Sequence, residues 1–197
     1  MARTDRQRST LGNELSAFEQ LALFSLDEFA AILTYMEFEA FYKTEMPKVI
    51  LHLMRLGASL DEAADGAQSA FVAMWPQWEL VESPKAYVRV SAHRAYMRIK
   101  FGEYSSHHTT PLPETFDRAT PLPQLCVAEL SEQESTIVEI LSALPPMQQL
   151  VMAWTFDGFT PAEIAQQLGQ DPTTVRQSLF KARKKLKQNL SQNGRTS

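Results

Sequence analysis

Ser25, Ser59 and Thr160 each stand three residues ahead of a glutamate, as SLDE, SLDE and TPAE at residues 25–28, 59–62 and 160–163. In that spacing the hydroxyl accepts from the third helical N–H while the glutamate reaches back to the cap's own N–H. Two of the four donors that a helix start leaves unpaired are thereby satisfied. Ser83-Pro84 and Asp171-Pro172 add two more starts, a cap residue before a proline whose fixed φ suits the first helical position. Gly169 stands where a helix C-terminus would need it, and only seven glycines occur in all. Strand-type alternation is scarce. An all-α fold is expected.

Residues 102–131, GEYSSHHTTPLPETFDRATPLPQLCVAELS, break the pattern. Pro111, Pro113, Pro121 and Pro123 interrupt any helix, and no apolar period runs through the stretch, which reads as a linker. It separates a helical block at 37–101 from another at 132–190, with an acidic extension at 1–36 and a tail at 191–197. A short helix is expected within the extension, from Leu26 to Met36. Leu21, Leu23, Phe24, Leu26, Phe29 and Ile32 give that extension an apolar component.

The net charge is −4, so no overall basicity advertises nucleic acid. The distribution says more than the sum. Ser9 to Tyr42 holds Glu14, Glu19, Asp27, Glu28, Glu37 and Glu39 and no Lys or Arg; Lys85 to Lys100 holds five basic residues and no acidic one; from Asp171 onward seven basic residues face one aspartate. Two basic islands in an acidic chain suggest two patches that meet phosphate. Cys126 is the only cysteine, so no intrachain disulfide forms, and no run approaches the ~18 apolar residues of a membrane span. A cytoplasmic protein is the expectation. His107, His108 and Cys126 do not have the spacing of common zinc motifs. No metal or cofactor is expected, and with no Gly-rich phosphate loop and no carboxylate pair in an acid/base setting, no enzyme.

Three helices carry the functional reading. In the last, Val175, Leu179, Ala182 and Leu186 recur at helical spacing as one apolar stripe, leaving Thr173, Thr174, Arg176, Gln177, Lys181 and Lys184 on the other face. A short capped helix, a tight turn at Gly169-Gln170 and this longer basic helix form a helix-turn-helix. Its second helix can lie in a DNA major groove, with Arg and Gln reaching base edges. In the helix from Pro84, residues Lys85, Arg89, His93, Tyr96 and Lys100 make a basic stripe with an aromatic in it, flanked by Arg94 and Arg98, while Val88, Ala92, Ala95 and Ile99 form the apolar stripe. Such a face suits unpaired nucleic acid, where a ring stacks on an exposed base. In the helix from Leu60 to Trp75, Asp61, Asp65 and Gln68 line up on an acidic face suited to a basic partner. His52, among apolar residues, is expected to be structural; Trp75 and Trp78 are expected to pack in a core where Pro76 ends a helix.

The stretch LSALPPMQQLVMAWTFDGFTPAEIAQQLGQDPTTVRQSLFKARKKL resembles region 4 of the extracytoplasmic-function (group IV) RNA polymerase sigma factors. FEAFYKTEMPKVILHL, DEAADGAQSAFVAMWPQW and SPKAYVRVSAHRAYMRIK are similar to region 2 of the same family. The resemblance implies a subunit that binds core RNA polymerase, with contacts to its β′ and β subunits, and directs it to promoter DNA. Asp65, Gln68 and Phe71 match the family's D-x-x-Q-x-x-F, which implies docking on the β′ clamp, with Asp61 beside them. The helix from Pro84 corresponds to the one that captures the opened −10 strand; the helix from Pro172 corresponds to the reader of the −35 duplex. An anti-sigma factor is implied as a further partner. Arg94, Arg98 and Phe101 stand where the family usually has Asn, Asp and Arg, which exchanges groups that read bases for charge that grips phosphate. Two other readings follow, a degenerate sigma-like adaptor and a stand-alone helix-turn-helix regulator.

Overall fold

The computed structural model describes residues 26–101 and 132–193, with side chains from 29 to 101 and from 132 to 189. The expected linker, with His107, His108 and Cys126, lies outside them, as do residues 1–25 and the end of the tail. The described residues are helical, with no strand among them. Helix α1 spans Leu26–Arg55, α2 Leu60–Met74, a 3₁₀ turn Trp75–Leu80, α3 Pro84–Lys100, α4 Glu132–Ser142, α5 Pro146–Phe156, α6 Pro161–Leu168 and α7 Pro172–Asn193. No helix among the described residues is long and apolar enough to cross a membrane.

The short helix expected at Leu26–Met36 does not end there; α1 runs on for 30 residues, with Pro47 inside it. No glycine or proline lies between Met36 and Pro47 to stop it. Two compact units divide at Ala40. Within the first, Phe29, Ile32, Leu33 and Met36 recur at one-turn spacing and are all exposed.

The second unit, from Phe41, holds both helical blocks. Local signals set most of its helix ends. Ser59 Oγ accepts from Glu62 N–H at 3.3 Å and Glu62 Oε2 accepts from Ser59 N–H at 2.8 Å. Thr160 and Glu163 make the same reciprocal pair at 3.3 and 2.7 Å. Gly169 closes α6 in the left-handed region, at φ 61°. Ser83 differs from expectation. Its side chain makes no capping bond, because its ψ of 78° is short of the extended conformation seen at Ser59 and Thr160.

Small residues let α1, α2 and α3 approach closely. A Cβ on Gly66 would lie 2.9 Å from Leu53 Cδ1 and 3.3 Å from the Ala92 carbonyl oxygen. Phe71 closes this core, edge-on to Tyr42 with centroids 5.0 Å apart. Trp78 packs on Phe41 at 5.1 Å, and the 3₁₀ turn carries Pro76. A second cluster gathers Leu141, Val151, Trp154, Ile164, Val175 and Leu179 from α4 to α7. Ala86 of α3 belongs to that cluster and Val90 packs against it, so the blocks meet directly and not only through the chain between them.

Candidate nucleic-acid interface

Helix α7 is fixed from beneath and open above. Val175 and Ala182 are fully buried, Leu179 nearly so, and Lys185 Nζ donates to the Ala143 carbonyl at 2.8 Å. Asp171 Oδ1 accepts from Thr173 N–H at 2.7 Å, which caps the helix and holds the carboxyl below its ordinary range. Thr173, Thr174, Arg176, Gln177, Lys181 and Lys184 are all exposed. Phe180, which the charge pattern passes over, is 70% exposed among them. The signal was present: Phe180 lies outside the Val175–Leu179–Ala182 stripe, one turn beyond Arg176. The surface thus combines cations, an amide and an aromatic ring at the open end of a helix-turn-helix, the chemistry of duplex recognition.

Helix α2 presents Asp61, Asp65 and Gln68 to solvent on one face. Phe71, expected with them, points into the core at 2% exposure, so its part is to set the helix in place rather than to offer surface.

Helix α3 divides the stripe expected on it. Lys85, Arg94, Arg98 and Lys100 are exposed and His93 is half-buried, but Arg89 and Tyr96 are interior. The buried face is wider than Val88, Ala92, Ala95 and Ile99 because the C-terminal block covers the first half of the helix. Tyr96 is buried, and its hydroxyl accepts from Lys100 Nζ at 2.9 Å. Past the covered half, His93, Arg94, Met97, Arg98 and Phe101 line an open groove against Ser69 and Ala73 of α2. Phe101 is 68% exposed. Burial, with the neighbouring His52 adding to it, keeps His93 below its ordinary proton affinity.

The covered half holds a network that sequence reading missed. Asp157, just past α5, takes Arg89 Nε at 2.6 Å and His52 Nδ1 at 2.7 Å on Oδ2, and Arg55 Nη1 at 2.9 Å on Oδ1. Arg89 also donates to Glu45 Oε2 at 3.1 Å and to the Lys85 carbonyl at 2.8 Å; Glu45 in turn holds Lys48 at 2.8 Å. Gln149 Nε2 donates to the Arg55 carbonyl at 2.9 Å. Arg55 lies over the Phe156 ring and Arg89 over the Phe159 ring, at 5.2 and 5.4 Å. A carboxylate at a helix C-terminus meets the negative end of the helix dipole, so Asp157 is tolerable there only with its cations in place.

Burial works against ionised Asp157, but the His52 hydrogen bond and the Arg89 guanidinium outweigh it and hold the carboxyl below its ordinary range. Burial holds His52 below its usual proton affinity, against the pull of Asp157, with Arg89 and Arg55 acting in the same sense as burial. A neutral imidazole donating from Nδ1 leaves two guanidinium groups against two carboxylates, a balanced interior. His52 is structural, as expected, though its partner lies 105 residues away.

Residues 134–186 match the family model described as sigma-70, region 4. The matched stretch runs from α4 into α7 and contains all six of the exposed residues singled out on that helix. No curated protein and no solved structure gives a match. The match supports a role in transcription for the C-terminal block, through a DNA-binding helix-turn-helix of the sigma-70 kind.

Proposed function

We propose that this chain is a sigma factor of the extracytoplasmic-function type, which binds core RNA polymerase and directs it to promoters. The observation that carries the reading is the open face of α7, held by a buried stripe within the region 4 match. Thr173 and Thr174 sit at the helix start, where backbone N–H groups favour a phosphate, and Arg176 and Gln177 reach for bases of the −35 element. Lys181 and Lys184 grip the backbone. The exposed Asp61, Asp65 and Gln68 meet the basic polymerase clamp, with Phe71 fixing their helix. Arg94, Arg98, Lys100 and the half-buried His93 line the approach of an opened −10 strand, with Lys85 exposed at the start of the same helix. An acidic chain with two basic islands has low affinity for free DNA at physiological salt, which suits a factor that acts only on polymerase. An anti-sigma factor is the partner we expect to hold it inactive, and the cytoplasm is where it acts.

Co-purification with bacterial core polymerase tests this. Wild type is expected to be retained and Asp65→Ala/Gln68→Ala to be lost with its helicity unchanged; retention of both sinks the docking assignment. One observation favours a stand-alone DNA-binding regulator: α7 is open while half of α3 is covered. Tight, sequence-specific duplex binding without polymerase at physiological salt selects that reading instead.

A further inference from the structure

Phe180 is the one large apolar side chain exposed on α7 among the described residues, at 70%. The stripe that anchors this helix is Val175, Leu179 and Ala182, with Leu186 packed against the same core. By the helical turn Phe180 stands well away from that stripe, on a ridge with Thr173, Gln177 and Lys184, and Arg176 and Lys181 flank it. All of these neighbours are exposed. A single apolar residue on a surface is ordinary. This one is set apart by its place, at the centre of the face that meets duplex. In a major groove every base edge presents hydrogen-bonding groups, and the thymine 5-methyl is the apolar exception. A phenyl ring between Gln177 and Lys184 gains there by covering that methyl. Over any other edge it strips water from polar atoms and returns no bond. Stacking on an open base face belongs to single strands, since the bases of a duplex are paired. A protein partner fits this ring less well, because among Arg176, Lys181 and Lys184 it forms no contiguous apolar patch.

We propose that Phe180 is a specificity-determining residue of α7, which selects a thymine in the −35 element through its 5-methyl group. The inference rests on the sigma-factor reading. Phe180 lies four residues past Arg176 and three past Gln177, a rise of about 6 and 4.5 Å along the helix. Those rises are less than two base-pair steps at ~3.4 Å each, so the thymine lies within about two pairs of the bases met by Arg176 and Gln177. Arg176 suits guanine, Gln177 suits adenine and Phe180 suits thymine, so three side chains within about one turn carry three different base preferences. The cations around them hold the backbone without regard to sequence. Phe180 thus adds discrimination that no charge on this face supplies.

The test removes the methyl group and nothing else. The full chain, assembled with core polymerase, selects duplexes from a library randomised across the −35 region. In the selected duplex each thymine is then replaced singly by uracil, which keeps every hydrogen-bonding group of the base. Wild type is expected to lose about fourfold in affinity at one thymine, the effect of withdrawing one methyl from an apolar contact. Phe180→Ala is expected to bind the thymine and uracil duplexes equally at that position and to keep any smaller penalty elsewhere. The first comparison changes only the DNA, so it holds whatever the variant does to the fold. Uracil tolerated by wild type at every thymine, or a penalty that Phe180→Ala retains, overturns the proposal. If Phe180→Ala instead loses core polymerase in the absence of DNA and wild type shows no uracil penalty, the ring is a protein contact and the proposal fails. A wild-type chain that does not bind core polymerase overturns the sigma-factor reading. The same library and uracil series with the chain alone then decide Phe180, and selection of no duplex there overturns its role as well.

Discussion

Helices α3 and α7 look alike in sequence, each an apolar stripe beside a basic one, yet the structure treats them in opposite ways. On α7 every cation and amide read as surface is surface. On α3 the stripe is split, with Arg89 at 2% exposure among carboxylates and Tyr96 at 1% beneath Lys100. Periodicity fixes which residues share a face. It does not fix what else in the fold will lie on that face. Helix α7 is packed on one side only, by α5 and α6, whereas α3 is packed by α2 on one side and by the C-terminal block on another.

The largest effect expected from this contrast is on stability. Arg89→Met strands Asp157 and Glu45 with fewer cations, and a buried pair broken from one side costs about 3–5 kcal/mol. Arg176→Ala on exposed α7 is expected to stay within about 0.5 kcal/mol of wild type. Urea midpoints measure both; equal midpoints erase the distinction between the helices. In DNA binding the order reverses. Arg176→Ala is expected to cost about 1–3 kcal/mol at one −35 base pair and little at others. A loss of equal size on every sequence would place Arg176 on phosphate.

Acid should separate the two regions further. The groups facing Asp157 and Glu45 are Lys48, His52, Arg55 and Arg89, with His93 nearby. Asp157 and Glu45 both lie below their ordinary values in the fold, Asp157 through His52 and Arg89 against burial, Glu45 through Lys48 and Arg89 against burial. Their contribution is present above the unfolded values and is lost as pH falls through the lowered folded ones. His52 is also lowered, by burial, so protonation favours the unfolded chain and stability starts to fall below its ordinary 6.5. All three act in the same direction. Denaturant stability measured from pH 7 to about pH 2 should decline first through His52, below its ordinary 6.5, and then through the carboxylates, below their ordinary 4.5 and 3.8. A profile flat to pH 5 contradicts a neutral buried His52.

The smallest effect is on salt dependence. Lys184→Ala should weaken duplex binding about evenly across sequences and reduce the salt slope by about one counterion. An unchanged slope removes Lys184 from the phosphate contacts.

What was legible in the sequence is what is local. The boxes at Ser59 and Thr160 and the cap at Asp171 involve partners two or three residues away, and their bonds form as spacing requires. Both faces of α7 follow from one helix's period. Ser83 eluded the same logic because its cap geometry depends on how the chain leaves the preceding 3₁₀ turn, which no spacing records. The Asp157 network was out of reach for a stronger reason. The three side chains that meet Asp157 lie 68 to 105 residues from it, and an aspartate before a glycine reads as ordinary turn chemistry. Only assembly of the two blocks reveals it. Phe71 shows the same limit in reverse, since a motif position matched by resemblance sits inside the core.

The most direct test of the account is run-off transcription of total genomic fragments by core RNA polymerase with and without this chain. The account predicts new transcripts whose starts share an upstream duplex element, present with wild type and lost with Asp65→Ala/Gln68→Ala. No transcript beyond those of core polymerase alone would contradict the assignment of the chain as a sigma factor.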